Sequence, residues 1–167
     1  MAVYHGRFEV QSKNYIPNFH DVTDKVKEIV SSSGIKNGVA VVYSQHTTCS
    51  VMIQEDSYDT LSNGQKYLLQ DLLDVFEKII PKCVREGQYW HPGPKLIKNA
   101  VEKLGEERAW ALNTDAHLRS SIVGRSETIP IIESKLELGE FGKIYFIDFD
   151  SVRERKRFVH VMVIGDK

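Results

Sequence analysis

The run Val39-Ala40-Val41-Val42-Tyr43, passing without a break into Ser44-Gln45-His46-Thr47-Thr48-Cys49-Ser50, constrains this chain more than any other segment. Five consecutive apolar residues rich in β-branched side chains read as a strand that is apolar on both faces and therefore central in a sheet. Asn37-Gly38 just before it reads as a turn. The β-rich pattern continues from Thr47 to Ile53. Polar groups beside a core strand cost stability unless they are hydrogen-bonded or line a cavity. With a side-chain period of two, His46, Thr48 and Ser50 share one face, and Thr47, Cys49 and Val51 the other. Two readings stand for this segment: a solvated strand end, or a polar network around a site.

The remaining pattern assigns the fold class. Val3 to Gln11 alternates as an edge or half-buried strand, and Asp21 or Thr23 caps a helix carrying Val22, Val26, Ile29 and Val30 that ends at Gly34. Tyr58 to Ile80 reads as one long helix with Leu61, Leu68, Leu69, Leu72, Leu73, Phe76 and Ile80 on its apolar stripe, stopped by Pro81. The breaker-rich stretch from Lys82 to Pro94 reads as a long loop, and Leu96 to Leu104 as a short helix. Asn113 to Gly124 fits a helix. Thr128 to Glu133, Lys143 to Phe149 and Arg157 to Ile164 fit strands. Strands at both ends with helices between them predict a single α+β domain over residues 1–167. Its sheet is mixed or antiparallel with helices packed on it, rather than a doubly wound fold.

Composition narrows the function classes. A net charge of −1 provides no basic field for nucleic acid. The dense basic stretch Arg153, Arg155, Lys156 and Arg157 reads as a solvated turn, with a local anion site as the alternative. No apolar run reaches membrane-spanning length, and the N-terminus shows no signal-peptide core. Cys49 and Cys83 form no CxxC motif or disulfide framework, so a reducing, cytoplasmic location is the expectation.

Candidate chemistry lies in three places. His46 sits in the polar run and His91 in the long loop, while His117 belongs to the cluster Asn113-Thr114-Asp115-Ala116-His117-Leu118-Arg119-Ser120-Ser121. Three histidines on separate elements are a possible ligand set, since three imidazoles plus water make a known catalytic zinc arrangement. Their spacing carries no local metal signature, and scattered histidines are the alternative. The Asn113 cluster reads either as a helix start holding an anion or as a capped surface helix with an Asp115–Arg119 pair. Cys49 reads as a packing residue. Glu55 and Asp56 read as acid–base or orienting groups, or as the polar entry to the long helix. His5, His20 and His160 read as structural.

Taken in order, several motifs resemble the YjbQ family, described as secondary thiamine-phosphate synthases. They are Asp21-Val22-Thr23, Gly38 through Glu55 (GVAVVYSQHTTCSVMIQE), His91 after the long helix and Asn113 through Gly124. Ile129-Pro130-Ile131, Leu138-Gly139, and Asp148-Phe149-Asp150 with Arg153 complete the pattern, which covers nearly the whole chain. The resemblance implies a homotrimeric α+β fold with a site built on His46, His91 and His117, which would ligate a divalent metal, zinc or magnesium, or bind phosphate. It implies a transferase joining a pyrimidine pyrophosphate to a thiazole phosphate. Under that reading His46, Glu55 and His117 are catalytic, and Thr48, Arg119, Ser120, Ser121 and Arg125 face the phosphates of a small phosphorylated substrate. A metal-dependent hydrolase of a phosphorylated metabolite and a non-catalytic binding protein are the alternatives.

Two departures from the family pattern bear on substrate choice. Leu138-Gly139-Glu140-Phe141-Gly142 stands where the family has Leu-Gly-Thr-Trp-Gln, losing an indole and an amide. The stretch after Glu55 is one residue longer before Asp59 than the family pattern, and the helix from Lys95 to Leu104 with the length around it looks like an insertion able to reshape the pocket.

Overall fold

The computed structural model describes residues 1–13 and 15–167. Among them the chain forms β1 (Ala2–Ser12), β2 (Asn18–Asp21), α1 (Thr23–Ser33), β3 (Asn37–Ser44), β4 (Cys49–Glu55), α2 (Tyr67–Ile79) and α3 (Pro94–Leu104). A helical turn at Arg108–Ala111 precedes α4 (Thr114–Val123), β5 (Ser126–Ile132), β6 (Lys135–Leu136), β7 (Gly142–Asp148) and β8 (Arg155–Asp166). Every strand pairing is antiparallel, and the class is α+β as expected.

The strands divide between two sheets, β1-β8-β3-β5-β6 and β2-β7-β4. β7 shows why. It is fully buried from Ile144 to Asp148, so its alternating side chains serve two cores. Ile144 and Phe146 join Ala40, Val42, Val159, Val161 and Val163 between the sheets, with Val22 just before α1 and Val26 and Val30 within it. Tyr145 and Ile147 face the other way, onto Leu69 and Phe76 of α2 and Ala116 of α4. The helices α2 and α4 thus cover the outer face of the smaller sheet. Each large apolar side chain taken out of water here contributes about 1.5–3 kcal/mol.

β3 is central in the larger sheet, as its apolar run predicts, but only Ala40, Val42 and Ser44 are buried; Val39, Val41 and Tyr43 lie on the open face. Asn37-Gly38 is not a turn. Both residues belong to β3, where Gly38 sits against Gly165 so closely that a Cβ would lie 2.1 Å from the Ile164 carbonyl. The glycine serves close approach of two backbones rather than chain reversal. The reversal comes earlier, at Gly34, which ends α1 with φ of 67°. Val22 is the N-cap residue of α1, while the Asp21 carboxylate accepts from the Thr23 N–H at 3.0 Å.

The helix expected from Tyr58 begins nine residues later, at Tyr67. The apolar period runs on through Leu61, but Gly64 is left-handed with φ of 85° and Thr60 bridges to Lys66, which closes a loop instead. Asp56 therefore caps nothing; it pairs with Lys66 at 3.0 Å. Among the described residues no helix is long and apolar enough to cross a membrane.

Candidate active site

His46 does not lie on a strand. The chain leaves the larger sheet at Ser44 and enters the smaller one at Cys49, and Gln45 to Thr48 is the crossing link. The expected two-face alternation of His46 and Thr47 therefore does not apply. Ser44 Oγ accepts from the His46 N–H at 3.2 Å, and the Cys49 N–H donates to the His46 carbonyl at 3.1 Å. The ring is pinned from β8: the Phe158 N–H donates to His46 Nε2 at 3.1 Å. Accepting at Nε2 places the ring proton of neutral His46 on Nδ1. Burial, then the Arg157 charge, lowers the His46 pKa and favours that neutral form.

His117 reaches the same place from α4, which is stitched to β4 by Ser120 Oγ donating to the Cys49 carbonyl at 2.7 Å and Ser50 Oγ donating to the Ser120 carbonyl at 3.3 Å. Burial, then His91, lowers the His117 pKa, and a hydrogen bond to the Thr47 backbone opposes both. The His91 ring meets His117 edge-on with centroids 5.3 Å apart. Thr114 Oγ1 donates to the His91 carbonyl and stands 2.9 Å from His91 Nδ1, so Nδ1 carries the proton and Nε2 the lone pair.

The basic stretch is not a solvated turn. Arg155 and Arg157 open β8 and, with Arg153 before it, point inward; of the four basic residues only Lys156 is exposed. Arg157 is bonded to Asp148 by Nε at 2.6 Å and Nη2 at 3.1 Å, and its Nη2 also donates to Thr48 Oγ1 at 3.2 Å. Arg155 pairs with Asp150 at 3.2 Å, and Asn113 donates to the same carboxylate at 3.1 Å. Arg153 donates to Glu106 at 2.6 Å and lies 4.3 Å from the Trp110 ring. The three arginines, His46, Thr48 and His117 line one cavity of about 410 Å³. Arg153 Nε and Arg155 Nε are buried donors with no hydrogen-bond partner among the described residues.

For these arginines the sequence offers the anion site only as the alternative to a solvated turn, and it gives Asp148 and Asp150 no role beyond the family pattern. The available signal is the spacing of two: acids at 148 and 150, then arginines at 153, 155 and 157, on either side of a short turn between β7 and β8.

Other expected site residues lie elsewhere. The guanidinium of Arg119 is buried against the Ile80 carbonyl, at 3.2 and 2.7 Å, and Glu77, at 2.8 Å, so it pairs with neither Asp115 nor a phosphate in this cavity. Asp115 instead accepts from the Cys83 N–H at 3.0 Å. Ser120 is spent on Cys49, and Ser121 Oγ donates to the His117 carbonyl at 2.8 Å. Arg125 and Glu55 are exposed and do not line the cavity. Nor does Phe141, half-exposed where the chain enters β7. Cys49 is fully buried, and burial pushes its thiol far above the ordinary range, which suits packing and not nucleophilic attack.

A divalent metal held by all three histidines does not fit this arrangement. The Nε2 lone pair of His46 is taken by the Phe158 N–H, which leaves a proton donor, not a ligand, at Nδ1. No group of three or more His, Cys, Asp or Glu among the described residues is placed to hold a metal ion. His46 and His117 line the cavity, and His91, which does not line it, packs edge-on against His117.

The family model described as UPF0047 protein YjbQ-like matches residues 7–166. A UPF0047 protein of Methanocaldococcus jannaschii is 33% identical over 168 residues, spanning all of both chains. One from Archaeoglobus fulgidus is 32% identical over 142 residues, 85% of this chain and 89% of the relative. Among solved structures, a hypothetical protein from Aeropyrum pernix K1 superposes with a TM-score of 0.71 at 27% identity, covering 97% of this chain and 98% of the other. A YbjQ-like protein of unknown function from Sulfolobus solfataricus P2 shares the fold, with a TM-score of 0.68 at 21% identity, covering 99% and 100%. With the family's pattern matched from the first strand to the last, this chain belongs to the UPF0047, YjbQ-like family.

Proposed function

We propose that the cavity binds the phosphate groups of a small phosphorylated substrate and that the protein is a transferase of the secondary thiamine-phosphate synthase type. The observation that carries the anion reading is the convergence of Arg153, Arg155 and Arg157 on one cavity with His46 and Thr48. Guanidinium N–H groups match phosphate oxygens. The activity itself is what membership of a family resembling these synthases suggests.

In that reaction the thiazole nitrogen attacks the methylene carbon that carries the pyrophosphate. A C–N bond forms, the C–O bond breaks, and pyrophosphate leaves with the electron pair. The departing charge is met by donors already in place, which need no reorganisation as the bond breaks. Arg153 and Arg155 supply guanidinium N–H groups, and neutral His46 supplies Nδ1–H. His117, whose pKa burial lowers, stands on the cavity wall as a neutral imidazole. A homotrimer belongs to the same proposal and is read by light scattering.

The test is to incubate the protein with the pyrimidine pyrophosphate and the thiazole phosphate and follow thiamine phosphate, with His46→Ala and Arg155→Met variants alongside. Product formation by the parent and its loss in both folded variants is expected. Binding of the phosphates without turnover would make the chain a phosphometabolite-binding protein, and undiminished activity in both variants would remove the site assignment.

A further inference from the structure

The open face of the larger sheet carries two histidines that the cavity chemistry above does not use. Val159 and Val161 point into the core, so His160 between them stands on the opposite face, beside Tyr43, its partner on β3. His5 of β1 lies diagonally across the pairing, its ring stacked on His160 at 12° with centroids 5.4 Å apart. His5 Nε2 is 3.1 Å from His160 Nδ1, and His160 Nε2 is 3.3 Å from Gln45 Oε1. Gln45 is the first residue of the crossing link and lines the arginine cavity next to His46. A hydrogen-bonded chain therefore runs from the sheet face to the cavity rim.

The polarity of that chain follows from counting protons. Burial, then His5 and Arg7, lowers the His160 pKa, so near neutral pH its ring has one N–H and one lone pair. The Gln45 amide oxygen only accepts, which puts the His160 proton on Nε2. Nδ1 of His160 then accepts, and His5 donates from its own Nε2. With its oxygen held by His160, Gln45 has only its two amide N–H groups left to offer a ligand. An amide free to turn over would offer that oxygen as well, which an anion repels.

We infer that Gln45 is a further anion-binding residue, its amide aimed donor-first into the cavity by the His5–His160 pair. This rests on the anion reading above and adds a neutral donor to the charged ones on β8. His160 touches no ligand; it is a positioning residue that acts by holding the Gln45 oxygen.

Calorimetry with inorganic phosphate at fixed ionic strength tests this, with the parent beside Gln45→Leu, Gln45→Glu, His160→Leu and His160→Gln. Gln45 is exposed and His160 half-buried on the sheet face, so these changes leave both apolar cores untouched. Gln45→Leu is expected to weaken phosphate binding about tenfold, the worth of one hydrogen bond to a charged group. Gln45→Glu keeps the oxygen that His160 holds but turns a carboxylate oxygen on the anion, and should weaken binding further. His160→Leu should reproduce the loss seen in Gln45→Leu. His160→Gln, whose Nε2 can donate to the same oxygen, should restore binding. Imidazole nitrogen chemical shifts should show the parent's His160 protonated at Nε2 and bare at Nδ1. A proton on Nδ1 instead, or unchanged affinity in Gln45→Leu, overturns the role of Gln45. The anion site still stands in that case if the parent binds phosphate and Arg155→Met does not. A loss in Gln45→Leu without one in His160→Leu overturns the positioning by His160. Failure of the parent to bind inorganic phosphate removes the anion reading and this inference with it.

Discussion

Arg157 and Asp148 face each other across the base of the site with hydrogen bonds of 2.6 and 3.1 Å, and both side chains are almost wholly buried. The pair does more than balance charge. The same guanidinium holds Thr48 from its free side, and the Thr48 carbonyl accepts from the Phe149 N–H at 3.1 Å. The crossing link that carries His46 is thus clamped to β7 and β8 together.

Removing one partner strands the other charge away from water. Arg157→Met is expected to cost about 3–5 kcal/mol of unfolding free energy in urea titration. Replacing both members, Arg157→Met with Asp148→Leu, should cost less than the sum of the single changes, because no unpaired charge remains. A fully additive double-mutant cycle would show that the two side chains do not depend on each other.

The lowered pKa values of His46 and His117 make stability depend on pH in one direction. A group with a depressed folded-state pKa takes up protons in the unfolded chain first, so stability falls as pH drops below the ordinary histidine value near about 6.5. Protonating His46 would also put a second hydrogen where the Phe158 N–H now donates. Denaturation midpoints should decline from pH 7 to pH 5, and His46→Gln with His117→Gln should flatten that slope. A slope unchanged by the two substitutions would count against these histidines as its source.

Arg119 provides a structural contrast to the arginines of the proposed phosphate site. Arg119→Met leaves the Ile80 carbonyl at the end of α2 without its donors and is expected to cost about 1–3 kcal/mol of stability. Because its guanidinium lies outside the arginine cavity, inorganic phosphate affinity should be unchanged, whereas Arg155→Met should abolish it. Calorimetry on both variants reads the contrast directly.

Gly38→Ala places a methyl against the Ile164 carbonyl and Gly165 Cα, where the ideal Cβ positions are 2.1 and 2.7 Å. Two paired strands must then separate, and the expected loss is at least about 1–3 kcal/mol. Gly34→Ala meets no such neighbour and tests only the left-handed cap. The larger loss should fall at Gly38 in thermal melts compared side by side.

What the sequence determined by itself is the part governed by neighbours along the chain. Periodicity placed β1, β3, β5, β7 and β8, the helix α1 and the stop at Pro81, because strand and helix faces repeat every two or 3.6 residues. Residue chemistry singled out His46 and His117, and the structure brings those two into one cavity. The tertiary structure decided what depends on partners far away in sequence. The strands after His46 separate into two sheets because β7 has apolar residues for two opposite cores, and no local pattern says which strand pairs with which. The family resemblance assigns Arg119 to phosphate and the sequence leaves Arg157 between a solvated turn and an anion site, whereas in the fold Glu77 and Asp148 stand beside them. A buried charge is defined by its counter-ion, and the counter-ion is chosen by the fold. The His46 lone pair follows the same rule: its use is settled by an N–H of β8, 112 residues further along the chain.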